Sequence, residues 1–136
     1  MDKLTAEQRS RLMARVRSKD TKPELLVRRL AHRMGYRYRL HDRSLPGTPD
    51  LVFAGRRKVI FVNGCFWHGH SCRSGRNRPA SHQAFWREKL ERTKERDRNN
   101  RKALRREGWG LLTLWECQIG EEERLARRLR AFLEPA

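Results

Sequence analysis

Apolar residues in this chain fall into short clusters between charged stretches, and their spacing predicts alternating helices and strands. A basic helix is predicted over residues 5–19. A second helix begins at Thr21, which can cap it, since Pro23 is tolerated in a first turn and Glu24 completes a capping box. Gly35 is expected to end this helix. Its predicted apolar face consists of Leu26, Leu30 and Met34.

Strands are predicted where aromatic and β-branched residues alternate or cluster between turn residues. Residues 36–40 read Tyr-Arg-Tyr-Arg-Leu, which indicates a half-buried strand. Residues 51–53 and 59–62 are short apolar runs around Ala-Gly-Arg-Arg, and this pattern predicts a hairpin. Residues 111–115 form the last predicted strand.

Two further helices complete the pattern. Residues 81–107 form a long charged helix ended by Gly108, and residues 121–133 form a final amphipathic helix. The apolar points of the long helix are Phe85, Trp86, Leu90 and Leu104. This order predicts an α/β fold with a small mixed central sheet flanked by helices. The length, without repeats or a linker, predicts a single domain over residues 1–136.

The charge balance is the first functional signal. Lys and Arg number 33 and Asp and Glu 16, which gives a net charge of +17. Self-repulsion of this size weakens a compact state, so a nucleic acid partner is expected, although an Arg-rich proteome would give the same composition. Residues 1–10 include several charged residues and lack the apolar core of a secretory signal. No run approaches the roughly 20 apolar residues of a membrane span. We therefore expect a cytoplasmic protein with reduced thiols and no membrane partner.

A cluster of Cys and His is the strongest local feature. Two Cys and two His lie within residues 65–72, and a third Cys follows the last predicted strand. Such clustering indicates a metal, and a Cys₃His zinc site would use all three cysteines. Spacing alone does not say which His binds, and inert buried thiols with surface histidines are the alternative. The five candidates are Cys65, His68, His70, Cys72 and Cys117.

Asp50 follows Pro49 and begins an otherwise apolar strand. A carboxylate at this edge can hold Mg²⁺ through oxygen. Nucleases of the PD-(D/E)xK type carry an Asp at this point, and an acid and a lysine on the second strand of the hairpin. In this chain the second strand reads Phe61-Val62-Asn63, so neither is present. An Asp that ends a proline turn explains the same residues.

Taken together, these residues resemble the very short patch repair (Vsr) endonucleases over roughly residues 8–118. The most specific matches are Gly-Cys-Phe-Trp-His at 64–68 and Trp-Glu-Cys at 115–117. The other matching positions are Arg9, Ser10, Met13, Asp20, Thr21, Glu24, residues 44–47, Pro49, Asp50, His70, Cys72, Phe85, Trp86, Glu88, Lys89, residues 95–98, Gly108 and Trp109.

The resemblance implies a restriction-endonuclease-like fold with a structural zinc. It implies Mg²⁺-dependent nicking of one strand of double-stranded DNA, 5′ to the mispaired T of a T:G mismatch, in very short patch mismatch repair. Such mismatches arise when 5-methylcytosine deaminates. The resemblance further implies a monomer that works at the nucleoid, with mismatch-repair proteins as candidate partners.

Roles for individual residues follow from the same resemblance. Asp50 and the main-chain carbonyl of Val62 are implied as Mg²⁺ ligands, with His68 as the catalytic histidine. Glu24 and Asp97 are implied to hydrogen-bond metal-bound waters. The implied zinc ligands are Cys65, His70, Cys72 and Cys117. The side chains implied to wedge into the base stack are Phe66, Trp67 and Trp86, with Met13 on the opposite, minor-groove side.

Several of these residues also have an ordinary structural explanation. For Glu24, helix capping alone is a sufficient explanation. Asp97 lies in Glu-Arg-Asp-Arg, where a surface ion pair is the default. His68 can instead be a zinc ligand. Trp86 can be a core residue at helical spacing with Leu90. A core position is also expected for Trp109 and Trp115.

Asn63 marks a departure from the family pattern, because the best-known members carry a His here. Asn cannot act as a base, though it can orient a water molecule. Two other functions therefore stay open. One is a zinc-stapled DNA-binding module without catalysis, which Asn63 favours. The other is a nuclease that cuts a specific sequence or foreign DNA without needing a mismatch.

Overall fold

The computed structural model describes residues 21–65 and 83–134. The basic helix predicted over residues 5–19, with Met13, lies outside the described residues. Within the described ranges the helices are α1 (Lys22–Arg33), α2 (Gln83–Arg106) and α3 (Glu122–Leu133). The strands are β1 (Arg39–Leu40), β2 (Leu51–Phe53), β3 (Lys58–Asn63) and β4 (Gly110–Trp115). Short 3₁₀ turns follow β2 at Ala54–Arg56 and β4 at Glu116–Gln118.

The strands form one mixed sheet in the order β1-β2-β3-β4. β1 and β2 pair antiparallel, and β2 and β3 form the predicted antiparallel hairpin. β3 and β4 run parallel, in register from Lys58 opposite Gly110 to Asn63 opposite Trp115. A parallel pair needs a crossover connection, and α2 lies within it. The α/β architecture with a small mixed sheet is thus confirmed.

Apolar side chains cover both faces of the sheet. Successive residues of a strand point to opposite faces. Because both faces are covered here, β2 and the middle of β3 are continuous apolar runs. The larger cluster holds Val27, Leu30 and Ala31 of α1, Leu51, Phe53, Ile60, Val62 and Leu114 of the sheet, and Leu125, Leu129 and Leu133 of α3. The smaller cluster holds Val52, Val59 and Leu104, with Leu45, Phe61, Trp109 and Leu111 packed against it. Helices therefore flank both faces, as predicted.

The ends of α1 agree with the sequence prediction. Thr21 is the N-cap, and its Oγ1 accepts a hydrogen bond from the main-chain N–H of Glu24 at 3.3 Å. Gly35 adopts a φ of +91°, a conformation that favours glycine. The N–H groups of Gly35 and Tyr36 return to the carbonyls of His32 and Ala31, which is a Schellman ending.

Two local predictions were wrong. Leu26 is 43% exposed, because α1 turns the row that contains Glu24 and Val27 toward the sheet instead. The first strand is limited to Arg39–Leu40, whereas the prediction began at residue 36. The two tyrosines before it are used for packing, since the rings of Tyr36 and Tyr38 lie edge-on to Phe53 with centroids 6.4 and 5.9 Å away.

Candidate active site

Three polar side chains from separate elements converge beside the β1–β2 edge of the sheet. Glu24 comes from the first turn of α1, His41 from the residue after β1, and Asp50 from the residue before β2. One nitrogen or oxygen atom from each lies within 4.8 Å of the others. Two carboxylates and an imidazole form a donor set that suits a divalent cation.

Asp50 is held in a fixed orientation across the hairpin. Its Oδ2 accepts a hydrogen bond from the main-chain N–H of Val62 at 2.7 Å. The pKa of Asp50 is raised to about 7, chiefly by burial. The charge of Glu24 and a side-chain hydrogen bond with it also raise the pKa, whereas the Val62 hydrogen bond and His41 lower it. A buried carboxylate in this position is stabilised in its ionised form by a bound cation.

Glu24 is buried, with 1% of its surface exposed. Its Oε2 accepts a hydrogen bond from Nε2 of His41 at 2.8 Å and pairs with Arg28 of the same helix at 3.3 Å. Helix capping therefore uses the main chain of Glu24, and the carboxylate is directed to the cluster. The Thr21 cap is thus observed, while the role of Glu24 toward metal-bound waters stays a prediction.

His41 was missed by the sequence analysis. Its φ of +50° is in the left-handed region, which is uncommon for a residue other than glycine. Its N–H donates to the carbonyl of Asp50 at 3.2 Å. The pairing of Leu40 with Leu51 places residue 41 opposite residue 50. Antiparallel pairing of the first two predicted strands is the signal that could have found it.

A groove of about 850 Å³ opens beside Asp50. Asp97 of α2 and Asn63 at the end of β3 share it with Asp50 and His41. Asn63 is 7% exposed, so it is a buried polar residue of the groove. The groove thus brings together Asp50, Val62, Asn63 and Asp97 from the predicted site, and its other polar lining residues are Arg43, Thr48, Arg96, Asn100, Arg101 and Thr113.

The loop that precedes Asp50 packs closely on α2. Gly47 adopts a φ of +78°, and a Cβ built there would lie 3.1 Å from side-chain atoms of Asn100. The positive φ favours glycine, and any larger side chain would require Asn100 to shift. This contact fixes one end of the groove, between the loop that carries Arg43 and the helix that carries Arg96 and Arg101.

Two of the predicted zinc ligands lie next to each other. Cys65 and Cys117 each follow the paired ends of β3 and β4 by two residues, since Asn63 pairs with Trp115. The N–H of Cys117 donates to Sγ of Cys65 at 3.4 Å, across 52 residues of sequence. The parallel pairing therefore brings these cysteines together. The other predicted zinc ligands, His70 and Cys72, lie outside the described residues.

The aromatic side chains at the start of α2 differ in exposure. Trp86 is 5% exposed, whereas its neighbour Phe85 is 43% exposed, and their ring centroids are 5.3 Å apart. Burial of Trp86 agrees with the core alternative, while its role as a wedge stays a prediction. Phe66, Trp67 and His68 fall outside the described part of the chain.

None of the described helices combines the length and the apolar composition that a membrane span needs.

A mixed α/β sheet with carboxylates at its edge and a basic groove beside them is consistent with the restriction-endonuclease-like class of nucleases. The family model described as DNA mismatch endonuclease Vsr matches residues 1–74, more than half of the chain. The chain therefore belongs to the Vsr family, and it is an endonuclease.

Relatives cover almost all of the chain. A type II nicking enzyme of Xanthomonas oryzae, V.XorIIP, is 49% identical over 99% of this chain and 98% of its own length. V.NmeAIP of Neisseria meningitidis, also a type II nicking enzyme, is 41% identical over 95% and 94%. The DNA mismatch endonuclease Vsr of Escherichia coli is 40% identical over 86% of this chain and 74% of its own length.

Proposed function

We propose that this chain is a Mg²⁺-dependent endonuclease that nicks one strand of double-stranded DNA, 5′ to the mispaired T of a T:G mismatch, in very short patch repair. The observation that carries the proposal is the anchored carboxylate of Asp50, which faces a basic groove shared with Asp97 and Asn63. The name of the Escherichia coli relative, a DNA mismatch endonuclease, supports the mismatch.

The donor set around Asp50 fits Mg²⁺. Hard cations prefer oxygen ligands, and the two carboxylates lie close together in a position where their charges are poorly screened. Asp50 and the main-chain carbonyl of Val62 would hold the ion, with Glu24 and Asp97 orienting its waters. A bound divalent cation supplies charge neutralisation at the scissile phosphate and a more acidic water.

Proton transfer in the proposed reaction falls to His68. The buried amide of Asn63 lines the groove but cannot accept a proton, so it can only orient water or a phosphate oxygen. His68 would move the proton at the attacking water or at the leaving oxygen. The products are a 5′-phosphate and a 3′-hydroxyl.

A structural Zn²⁺ bound by Cys65, His70, Cys72 and Cys117 forms part of the same proposal. The contact between Cys117 and Cys65 supports it, because it joins two thiol residues from distant parts of the chain at the ends of paired strands. Four N or S ligands match the closed tetrahedral sites of structural zinc. The ion would tie residues 65–72 to the end of β4.

Duplex DNA is the proposed substrate. Arg43, Arg96 and Arg101 line the groove and can contact phosphates on either side of the scissile bond. The net charge of +17 supplies the wider electrostatic attraction. Phe66, Trp67 and Trp86 would wedge into the base stack, with Met13 on the minor-groove side. We also propose that the enzyme acts as a monomer at the nucleoid, with mismatch-repair proteins as partners.

The names of two near-full-length relatives favour a second candidate function. Both are called type II nicking enzymes, names that mention nicking but no mismatch. The second candidate is therefore a nuclease that cuts a specific sequence without needing a mismatch. Matched and T:G duplexes with separately labelled strands distinguish the two candidates when incubated side by side with Mg²⁺. A nick that occurs only in the T:G duplex, and only in the strand with the mispaired T, supports mismatch repair. The same assay is run on Asp50→Asn, which should lose nicking. Asp42→Asn is its control, because Asp42 lies in the same loop but is not among the residues that line the groove.

A further inference from the structure

We propose that His41 is a positioning residue that fixes the carboxylate of Glu24 relative to Asp50, so that both face one metal ion. This inference rests on the proposed Mg²⁺ site at Asp50. The geometry points to it because one residue contacts both acids. Its main-chain N–H binds the carbonyl of Asp50 at 3.2 Å, and its Nε2 contacts Oε2 of Glu24 at 2.8 Å.

The direct partner of the imidazole is Glu24. The distance from Nε2 of His41 to Oε2 of Glu24 is that of a charge-assisted hydrogen bond, whereas the distance to Oδ1 of Asp50 is 4.0 Å. A carboxylate can only accept, so Nε2 donates the proton. His41 therefore acts on the geometry of Glu24 and is not a direct hydrogen-bond partner of Oδ1 of Asp50.

Arg28 cannot replace His41 in this role. It also pairs with Oε2 of Glu24, but both residues belong to α1, four positions apart. That contact holds the carboxylate on its own helix. His41 instead bonds the main chain of Asp50, so it links the carboxylate of Glu24 on α1 to the residue at the start of β2.

The backbone of His41 supports a functional reason for this residue. A left-handed conformation in a residue other than glycine is energetically unfavourable and persists where the surroundings determine it. The side chain is 17% exposed and lines the groove. A residue that served the core alone would not need a polar ring with access to the site.

The test compares His41→Ala with His41→Gln in the full-length protein. Gln keeps an N–H donor that can reach Glu24, and Ala does not. Mg²⁺ alone is titrated into each protein by isothermal calorimetry, without DNA, and cleavage is measured separately. Mutation of a residue that positions a metal ligand typically lowers metal affinity or activity by about 10- to 100-fold. We expect His41→Ala to weaken Mg²⁺ binding by about tenfold or more, and His41→Gln to recover most of the loss.

The control is His32→Ala, an exposed histidine of α1 outside the groove, which should leave Mg²⁺ binding unchanged. Wild-type affinity in His41→Ala would overturn the inference, as would equal loss in His41→Gln and His41→Ala, because the imidazole itself would then be a ligand. If His41→Ala does not fold, His41→Gln still decides: near-wild-type Mg²⁺ binding is expected, and a tenfold loss overturns the inference. Unchanged Mg²⁺ binding and cleavage in Asp50→Asn would instead defeat the proposed function.

Discussion

Replacing Asp50 by Asn should make the protein more stable at pH 8, although it removes a proposed catalytic carboxylate. Asn has nearly the same shape, and its Oδ1 can still accept the N–H of Val62. The pKa of Asp50 is raised from 3.8 to about 7 by burial and by Glu24. A folded-state pKa above the unfolded value means that the wild type loses stability as pH rises from about 4 to about 7.

The size of this effect follows from the shift. About three pKa units correspond to at most about 4 kcal/mol of stability, which the wild type has lost above pH 7. Asn has no such ionisation. Without added Mg²⁺, the unfolding free energy of Asp50→Asn should therefore exceed that of the wild type by a few kcal/mol at pH 8. The difference should be small at pH 4.

Urea denaturation followed by tryptophan fluorescence at pH 4 and pH 8 measures this difference, with dialysis rather than a chelator to remove Mg²⁺ so that the proposed zinc is retained. Added Mg²⁺ should stabilise the wild type, by about 2.7 kcal/mol at 100 times its dissociation constant, and should not stabilise Asp50→Asn. Asp42→Asn is the matched control of opposite sign, because hydrogen bonds from Ser44 lower the pKa of Asp42. An Asp50→Asn protein no more stable than the wild type at pH 8 would refute the reasoning.

The remaining predictions concern the proposed chemistry and the zinc. Asp50→Ala should abolish nicking while DNA binding in a gel-shift assay persists; nicking at the wild-type rate would mean a different metal site. Removing His68 should slow cleavage roughly 100-fold or more in single-turnover assays, and a smaller loss would return it to the zinc alternative. Cys117→Ser should lower zinc content by elemental analysis and destabilise the fold, so a stable variant with a full equivalent of zinc would contradict the ligand set. Phe66→Ala with Trp67→Ala should remove most of the preference for a T:G duplex without changing zinc content, because a weakened stack favours inserted rings.

The sheet was predictable because its strands carry a strong local signal. The continuous apolar runs at 51–53 and 59–62 reflect burial on both faces, and the turn between them is short. Helix ends at Thr21 and Gly35 were equally clear, since capping depends on adjacent residues. The rotation of α1 was not predictable from its own sequence. A carboxylate is buried only when a partner stabilises it, and the partner of Glu24, His41, comes from a different element.

Residue type and position indicated Asp50 and the Cys and His cluster, but the rest of the candidate site was predictable only where resemblance identified single residues. Asp50 and Asp97 come from distant segments, and the groove that they share is a product of tertiary packing. His41 carries no sequence signal of its own, since its role depends on strand register and a left-handed backbone. Cys65 and Cys117 could be grouped by residue type, whereas their contact required the parallel pairing of β3 and β4.

Mismatch-directed nicking is tested most directly by cleaving a library of duplexes with randomised sequence context, each carrying one mismatch or none, and sequencing the nicked ends of each strand separately. With Mg²⁺, the account predicts nicks 5′ to the mispaired T in T:G duplexes, in one strand, and loss of these nicks in Asp50→Ala. Equal cleavage of matched and mismatched duplexes across the library would contradict the account and favour a sequence-specific nicking enzyme.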